Sequence, residues 1–228
     1  MPNKNPKHIA IILDGNKRWA SVNKLSSIEG YKRGLDKILE ITEHCVNLKI
    51  QNLTLFTLSS ENLKRENVNI IFKIAETYFQ NFIDKLVSEK QVKVKVFGTE
   101  NKLPSNIVNI IKRSEKLTSE NNQLNLNLAF NYGFTEEIKN LLKKISEKNV
   151  EIDFNNENNI RKLFYLEDNP DPDILIRTGG YKRLSNFIMY NLIYTELFFI
   201  DDLWPDFTKQ KLDMIINDFK SIKRKYGL

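Results

Sequence analysis

Ile9-Ala-Ile-Ile-Leu-Asp-Gly-Asn-Lys-Arg-Trp19 is an apolar run that ends abruptly in charge and glycine. An unbroken apolar run of this length, closed by a turn signal, suits a strand buried on both faces, as strands of parallel sheets are. A second stretch reads the same way: Ile174-Leu-Ile-Arg-Thr-Gly-Gly-Tyr-Lys-Arg-Leu-Ser-Asn-Phe187, followed by Glu196. Open α/β sheets bind ligands just beyond the carboxyl ends of such strands, so the charged residues of both stretches belong where a substrate binds. The first offers one carboxylate, Asp14, then Gly15 and Asn16 for close backbone approach. The second offers Arg177, Arg183, Ser185 and the Gly179-Gly180 pair, whose amides are expected to approach phosphate oxygens. A hard oxygen ligand for a metal thus faces an anion cradle.

Outward from these two stretches, strand-like runs at 9–13, 53–58, 92–97, 124–130, 174–176 and 197–200 alternate with helical periodicity. That rhythm predicts a single α/β domain over residues 1–228, with a mostly parallel central sheet of about six strands flanked by helices. Apolar residues three and four apart mark helices over 35–46, 70–86 and 212–222. Pro104 opens another, and Thr135 with Glu136 and Glu137 reads as the capped, acid-rich start of one more. The strict alternation of Leu124-Asn-Leu-Asn-Leu128 predicts a strand near an edge or facing a cavity. The run Asn155-Asn156-Glu157-Asn158-Asn159 reads as a solvated loop.

Composition narrows the function classes. The single cysteine, Cys45, excludes an internal disulfide framework, and with only His8 and His44 no Cys/His zinc spacing exists. A reduced, cytoplasmic setting is expected, with neither a signal peptide nor a membrane span. The formal net charge of +6 favours anionic partners. Nucleic acid is not among those expected, because the basic residues are spread through helices alongside Glu and Asp rather than gathered on one face. No G-x-x-x-x-G-K-[ST] and no G-x-G-x-x-G after a strand occurs, which argues against nucleotide chemistry. The polar set Thr57-Leu-Ser-Ser-Glu-Asn-Leu-Lys-Arg65 leaves the second strand; Ser59 or Ser60 suits a helix cap with Glu61 in the first turn, whereas Asn62 and Arg65 have no such structural role.

Seven blocks then fall in one order: His8-Ile-Ala-Ile-Ile-Leu-Asp-Gly-Asn-x-Arg-Trp-Ala, Ser-Ser-Glu-Asn62, Asn131-Tyr-Gly, Ile-Arg-Thr-Gly-Gly180, Arg-Leu-Ser-Asn-Phe187, Thr-Glu-Leu-Phe-Phe199 and Leu-Trp-Pro-Asp-Phe207. Together they resemble the cis-prenyltransferases, most closely bacterial undecaprenyl diphosphate synthase, over nearly the whole chain. The resemblance implies a homodimer that condenses isopentenyl diphosphate, with cis geometry, onto an allylic diphosphate such as farnesyl diphosphate, with Mg2+ as cofactor. It implies a long polyprenyl product, the undecaprenyl carrier for cell-wall sugars, and a transient association with the inner face of the membrane for product release. The cationic stretch Lys220, Lys223, Arg224 and Lys225 suits that association. A synthase of different chain length, or a non-catalytic partner subunit, is the alternative; such subunits lack the aspartate found at Asp14.

By position, the resemblance makes Asp14 the magnesium-linked aspartate and Glu196 the second metal-associated carboxylate. It gives the allylic diphosphate to Gly15, Asn16 and Arg18, and isopentenyl diphosphate to Arg177, Arg183 and Ser185. Asn62 and Arg65 match residues assisting proton removal or orienting the homoallylic substrate, while Trp19 and Glu61 match the mobile loop and site rim; Ser59 and Ser60, with Ser27 and Tyr31, are expected among the substrate-binding residues. It also implies a hydrophobic tunnel between the sheet and the helices over 35–46 and 70–86. The chain departs from the family pattern at Ser27 and Tyr31, where Arg and His are usual, at Leu63 in place of Trp, and at Tyr181-Lys182 in place of Glu-His. Lys17, in a position often held by Gly or Ala, is read as the replacement cation, and Phe134 as a residue that alters the neighbouring cavity.

Overall fold

The computed structural model describes residues 5–62, 72, 76, 84–85, 91–101, 103–148 and 152–223. In chain order these form β1 (His8–Ile12), α1 (Asn16–Val22), α2 (Ser27–Asn47), β2 (Asn52–Ser59), β3 (Val92–Phe97), α3 (Ser105–Leu117), β4 (Leu124–Tyr132), α4 (Phe134–Lys148), α5 (Glu157–Arg161), β5 (Ile174–Arg177), β6 (Glu196–Phe199) and α6 (Lys209–Ser221). The six strands make one sheet in the order β3-β4-β2-β1-β5-β6, and every neighbouring pair is parallel. β1 lies inside the sheet because every one of its residues is buried, with Ile9, Ala10 and Ile11 fully so. Its register sets Ile12 beside Phe56 of β2 and Arg177 of β5, so β1 and β5 end together while β2 runs on to Ser59 beside their following loops.

One face of the sheet packs Ile9, Ile11, Leu53, Leu55, Leu126 and Ile176 against Ile38, Ile41 and Cys45 of α2 and Leu212, Ile216 and Phe219 of α6. Trp204 and Phe207 complete this core with stacked rings 5.7 Å apart, and Trp204 Nε1 donates to the carbonyl of Gly34. The opposite face packs Ala10, Ile12, Phe56, Ala129, Leu175 and Phe187. α2 is longer than its apolar stripe predicts, because Ser26 and Glu29 form a reciprocal capping box that starts the helix a turn and more earlier. The helix expected over 70–86 lies outside the described residues except for Phe72, Glu76, Asp84 and Lys85; Phe72 packs with Leu58 and Ile107.

Near the edge, as its alternation predicts, β4 sits between the edge strand β3 and β2. Its asparagines meet polar partners inside the sheet rather than solvent, Asn125 Nδ2 donating to Asn52 Oδ1 and Asn127 Nδ2 to Thr54 Oγ1 and Asn169 Oδ1. Two other expectations are corrected. The asparagine-rich run is not loop throughout, because Asn156 caps the short helix α5 by accepting from the Asn158 amide. Thr135 does not cap α4; its amide and hydroxyl both donate to Asn186 Oδ1, so a residue from another segment does that work.

The β4 polar ladder continues into His8, which is fully buried. The Pro170 carbonyl can only accept, so the 2.6 Å contact places the ring proton on Nδ1, and Nε2 then accepts from the Thr54 hydroxyl at 2.7 Å. Burial holds the His8 pKa down at about 4, against the pull of the Pro170 bond and of Asp173 and Asp171. A folded-state value below the ordinary one of 6.5 means that the stability is whole above pH 6.5 and is lost as pH falls toward 4. The displacement corresponds to about 3 kcal/mol. Urea unfolding across that pH range is expected to show the loss, and His8→Gln is expected to flatten the slope; an unchanged slope in the variant removes His8 as its source.

Candidate active site

The site begins where β1 stops. The Asp14 amide donates to the Ile12 carbonyl at 3.0 Å and to Thr178 Oγ1 at 2.9 Å, while the Asp14 carbonyl accepts from the Trp204 amide and the Thr178 hydroxyl. Gly15 then turns the chain at φ +123 into α1, and a Cβ there would lie 2.9 Å from Leu203 Cβ, so only glycine fits. The backbone of Asp14 is thereby fixed from both β5 and the Trp204 turn.

Its carboxylate bridges two arginines. Arg18 Nη2 donates to Oδ1 at 3.0 Å and Arg177 Nη2 donates to Oδ2 at 2.8 Å. Arg18 also donates through Nη1 to the Gly179 carbonyl at 2.7 Å. Arg177, whose side chain is only 3% exposed, turns its other nitrogen, Nη1, to Ser185 Oγ and the Arg183 carbonyl. Its Nε is buried with no partner among the described residues. Ser185 and Asn186 reach this arrangement at φ +51 and +63, left-handed values that cost a non-glycine residue roughly 1 kcal/mol or more each.

The glycine pair does not do what the sequence suggests. The Gly179 and Gly180 amides are already taken by the carbonyls of Asp202 and Ile200, both at 2.8 Å, so neither N–H is free for a phosphate oxygen. Their contribution is room and direction. Both are left-handed, and a Cβ on Gly179 would fall 2.3 Å from Arg18 Nη2.

Asp14, Gly15, Asn16, Lys17, Arg18, Tyr31, Ser59, Asn62, Arg177, Arg183 and Ser185 line one cleft of about 370 Å³, floored by Ile12, Leu13 and Phe56. Among the described residues, Lys17, Arg18, Arg177 and Arg183 face a single lining carboxylate, Asp14, so this lining carries excess positive charge and suits a polyanion. The other expected residues lie elsewhere. Trp19 points away, its Nε1 donating to Asp206 Oδ1 at 2.7 Å. Ser27 is an exposed first residue of α2 and does not line the cleft. Ser60 hydrogen-bonds through its amide to the Tyr132 carbonyl. Glu61 accepts from Asn186 Nδ2 at 2.8 Å; burial pushes its carboxyl up, but bonds from Asn186, its own backbone, Ser59 and Ser60 outweigh this and hold it below the usual range. Arg65 and Leu63 fall outside the described residues. Phe134 stacks on Phe164, which stacks on Tyr190 at 4.0 Å, so its ring is taken up away from the cleft lining.

Glu196 is the largest departure. It starts β6 opposite Ile174, whereas the cleft lies past Arg177, opposite Phe199. Three strand residues, roughly 10 Å, separate it from the carboxyl end of the sheet, so within one chain it does not join Asp14. Among the described residues no group of three or more His, Cys, Asp or Glu side chains could hold a metal. A divalent cation in the cleft therefore depends on Asp14 together with phosphate oxygens and water, a donor set that magnesium commonly accepts.

Sequence reasoning noted Tyr181 only as a departure from the family pattern and gave Thr178 and Asn186 no role. Thr178 and Asn186 act through hydrogen bonds to partners more than forty positions away, which leave no local pattern. Gly34 was missed as well. A Cβ at Gly34 would lie 2.2 Å from Asn16 Oδ1, and one at Gly30 2.3 Å from the Asn16 carbonyl oxygen, so α2 is kept bare where α1 crosses it. Gly34→Ala is expected to displace Asn16 and lower turnover about tenfold or more, against the gain of roughly 1 kcal/mol that alanine brings to a helix interior. Activity and thermal unfolding measured together check this, and unchanged activity defeats it.

Comparison with known proteins gives matches over nearly the whole chain. The family described as "Putative undecaprenyl diphosphate synthase" matches residues 12–227. An isoprenyl transferase of Aquifex aeolicus is 40% identical over 226 residues, covering 98% of this chain and 96% of that protein. A Pyrococcus furiosus protein, named tritrans,polycis-undecaprenyl-diphosphate synthase (geranylgeranyl-diphosphate specific), is 38% identical and covers 97% of this chain and 87% of its own length. In structure, lavandulyl diphosphate synthase from Lavandula x intermedia, in complex with dimethylallyl diphosphate, matches with a TM-score of 0.90 at 27% identity, covering 98% and 99% of the two chains. A "probable undecaprenyl diphosphate synthase" from Campylobacter jejuni matches with a TM-score of 0.78 at 30% identity, covering 99% and 100%.

Proposed function

Because the chain belongs to the undecaprenyl diphosphate synthase family of prenyl transferases, we propose that its cleft binds two diphosphates side by side and joins their hydrocarbon parts, condensing isopentenyl diphosphate onto an allylic diphosphate with cis geometry. The observation that carries this reading is Asp14, held between Arg18 and Arg177 at the mouth of an otherwise cationic cleft. Arg18, Lys17, Asn16 and Gly15 surround the allylic diphosphate; Arg177, Arg183 and Ser185 hold isopentenyl diphosphate.

Breaking the allylic C–O bond leaves growing negative charge on the departing diphosphate, and fixed cations that meet it lower the barrier. Arg18 is pre-oriented for that task by Asp14 and the Gly179 carbonyl. Arg177 is more deeply buried, so its attraction for a phosphate is less screened than that of an exposed arginine. Asp14 is the residue that would hold magnesium, which when bound would supply further positive charge at the leaving group. Asn62, whose amide donates to Ser59 Oγ at 3.3 Å, stands on the rim, where with Arg65 it orients the homoallylic end or assists proton loss. The apolar floor of Ile12, Leu13 and Phe56 receives the hydrocarbon part of the allylic substrate beside the charged groups.

The starter is farnesyl diphosphate, the product a long polyprenyl diphosphate of the undecaprenyl class serving as a cell-wall carrier, and the enzyme works in the cytoplasm, touching the membrane surface to release product. The active form is a homodimer. Met189, Ile193, Tyr194 and Leu197 are exposed around Glu196 on the open edge of the sheet, where a second copy would cover them and could carry Glu196 to another cleft. Incubation with labelled isopentenyl diphosphate, magnesium and farnesyl, geranylgeranyl or dimethylallyl diphosphate, with product length read by chromatography, tests the reading. Long products from farnesyl diphosphate are expected; elongation of geranylgeranyl diphosphate alone reassigns the starter, and no product from any starter overturns the activity.

A further inference from the structure

Tyr181 follows the Gly179-Gly180 turn at a position where the family usually has Glu, and its ring is where the guanidinium groups of the cleft meet. The Cζ of Arg183 lies 4.2 Å from the ring centroid, that of Arg18 4.9 Å and that of Arg177 5.7 Å. All three are within the range of about 6 Å over which the negative face of an aromatic ring attracts a cation. Guanidinium groups gathered this closely repel one another, and Asp14 bonds to only two of them, Arg18 and Arg177. Arg183 is exposed, has no carboxylate partner among the described residues, and bonds through Nε to Ser185 Oγ at a long 3.3 Å. That oxygen already accepts from Arg177 at 2.7 Å. The ring is thus the main restraint on the Arg183 side chain.

The ring itself is held by a stiff stem. The amides of the two preceding glycines are tied to the Asp202 and Ile200 carbonyls, which fixes the direction in which the chain delivers Tyr181. Tyr181 is 44% exposed and lies outside the core, so its removal leaves the packing of the sheet intact. The contact is made by the ring face.

Resting on the reading of this cleft as a paired diphosphate site, we propose that Tyr181 is a positioning residue that holds Arg183 over the cleft through its ring face and draws Arg18 to the same ring. It takes the place of a carboxylate without adding negative charge to a site that must receive two diphosphates. Prepositioned arginines lose less freedom on binding, so the ring adds affinity without touching the substrate.

Equilibrium titration with isopentenyl diphosphate and magnesium, with no allylic partner present, provides the test. Tyr181→Ala is expected to raise the Kd about three- to thirtyfold, the span of a cation–π contact from exposed to desolvated settings. Tyr181→Phe, which keeps the face and drops the hydroxyl, is expected to recover most of that affinity. In an Arg183→Ala background, Tyr181→Ala is expected to cost little more, because the residue it positions is gone. An unchanged Kd for Tyr181→Ala, no recovery by Tyr181→Phe, or an undiminished cost in the Arg183→Ala background each overturns the role of Tyr181. Arg177→Ala is the control for the cleft: wild-type affinity in that variant overturns the paired-diphosphate reading and the role of Tyr181 with it.

Discussion

Asp14→Ala is expected to abolish turnover, lowering it about a thousandfold or more, while the sheet remains folded. The carboxylate is the only one lining the cleft among the described residues and is the anchor of Arg18 and Arg177. Its loss frees Arg18 to leave the Gly179 carbonyl and places two guanidinium groups side by side without a counterion. Stability falls too, by about 1–3 kcal/mol, since Arg177 is 3% exposed and loses its charged partner. The fall stays short of the figure for a fully buried pair, because Arg177 keeps Ser185 Oγ and the Arg183 carbonyl, and the Asp14 side chain is itself 27% exposed. Asp14→Asn separates the two effects: it keeps the shape of the side chain and most of the stability, yet is expected to remain nearly inactive. Steady-state assays over a magnesium series and urea unfolding read both quantities, and retained magnesium-dependent turnover in either variant removes Asp14 from the reaction.

Arg177→Ala is expected to raise the KM for isopentenyl diphosphate by roughly tenfold to a hundredfold, as the loss of a charge-assisted hydrogen bond of about 1.5–3 kcal/mol implies. Arg183→Ala is expected to do less, because its exposed side chain acts in a more strongly screened setting. Removing both should be worse than either. Arg177→Lys is not expected to restore the site: Arg177 reaches Asp14 with one nitrogen and Ser185 with the other, and a lysine ammonium cannot span both. Kinetics in which only the allylic substrate responds would mean that the two diphosphate positions are exchanged.

Much of the fold was legible because β1 and β5 are apolar runs cut by charge, and a strand buried on both faces leaves that trace in any sequence. The trace failed at β4. Alternating Leu and Asn ordinarily marks one wet face, and the sequence does not record that Asn52, Thr54 and Asn169 wait inside to bond those asparagines. It failed in the same way at Gly179 and Gly180. A glycine pair beside arginines suggests free amides, but whether an amide is free depends on carbonyls some twenty residues further along, at Ile200 and Asp202.

From its residues alone the chain determined an α/β parallel sheet, the two loops that hold its charged groups, and the identity of Asp14, Arg18, Arg177, Arg183 and Ser185 as one site, because strand periodicity and charge at strand ends are local properties. Tertiary structure alone decided which of the remaining expected residues meet there. The register of β5 and β6 sends Glu196 to the far end of the sheet, Asp206 draws Trp19 aside, and the turn after Gly180 brings Tyr181 over three arginines. Each of these outcomes depends on a distance between segments remote in the chain, which neither residue order nor spacing encodes.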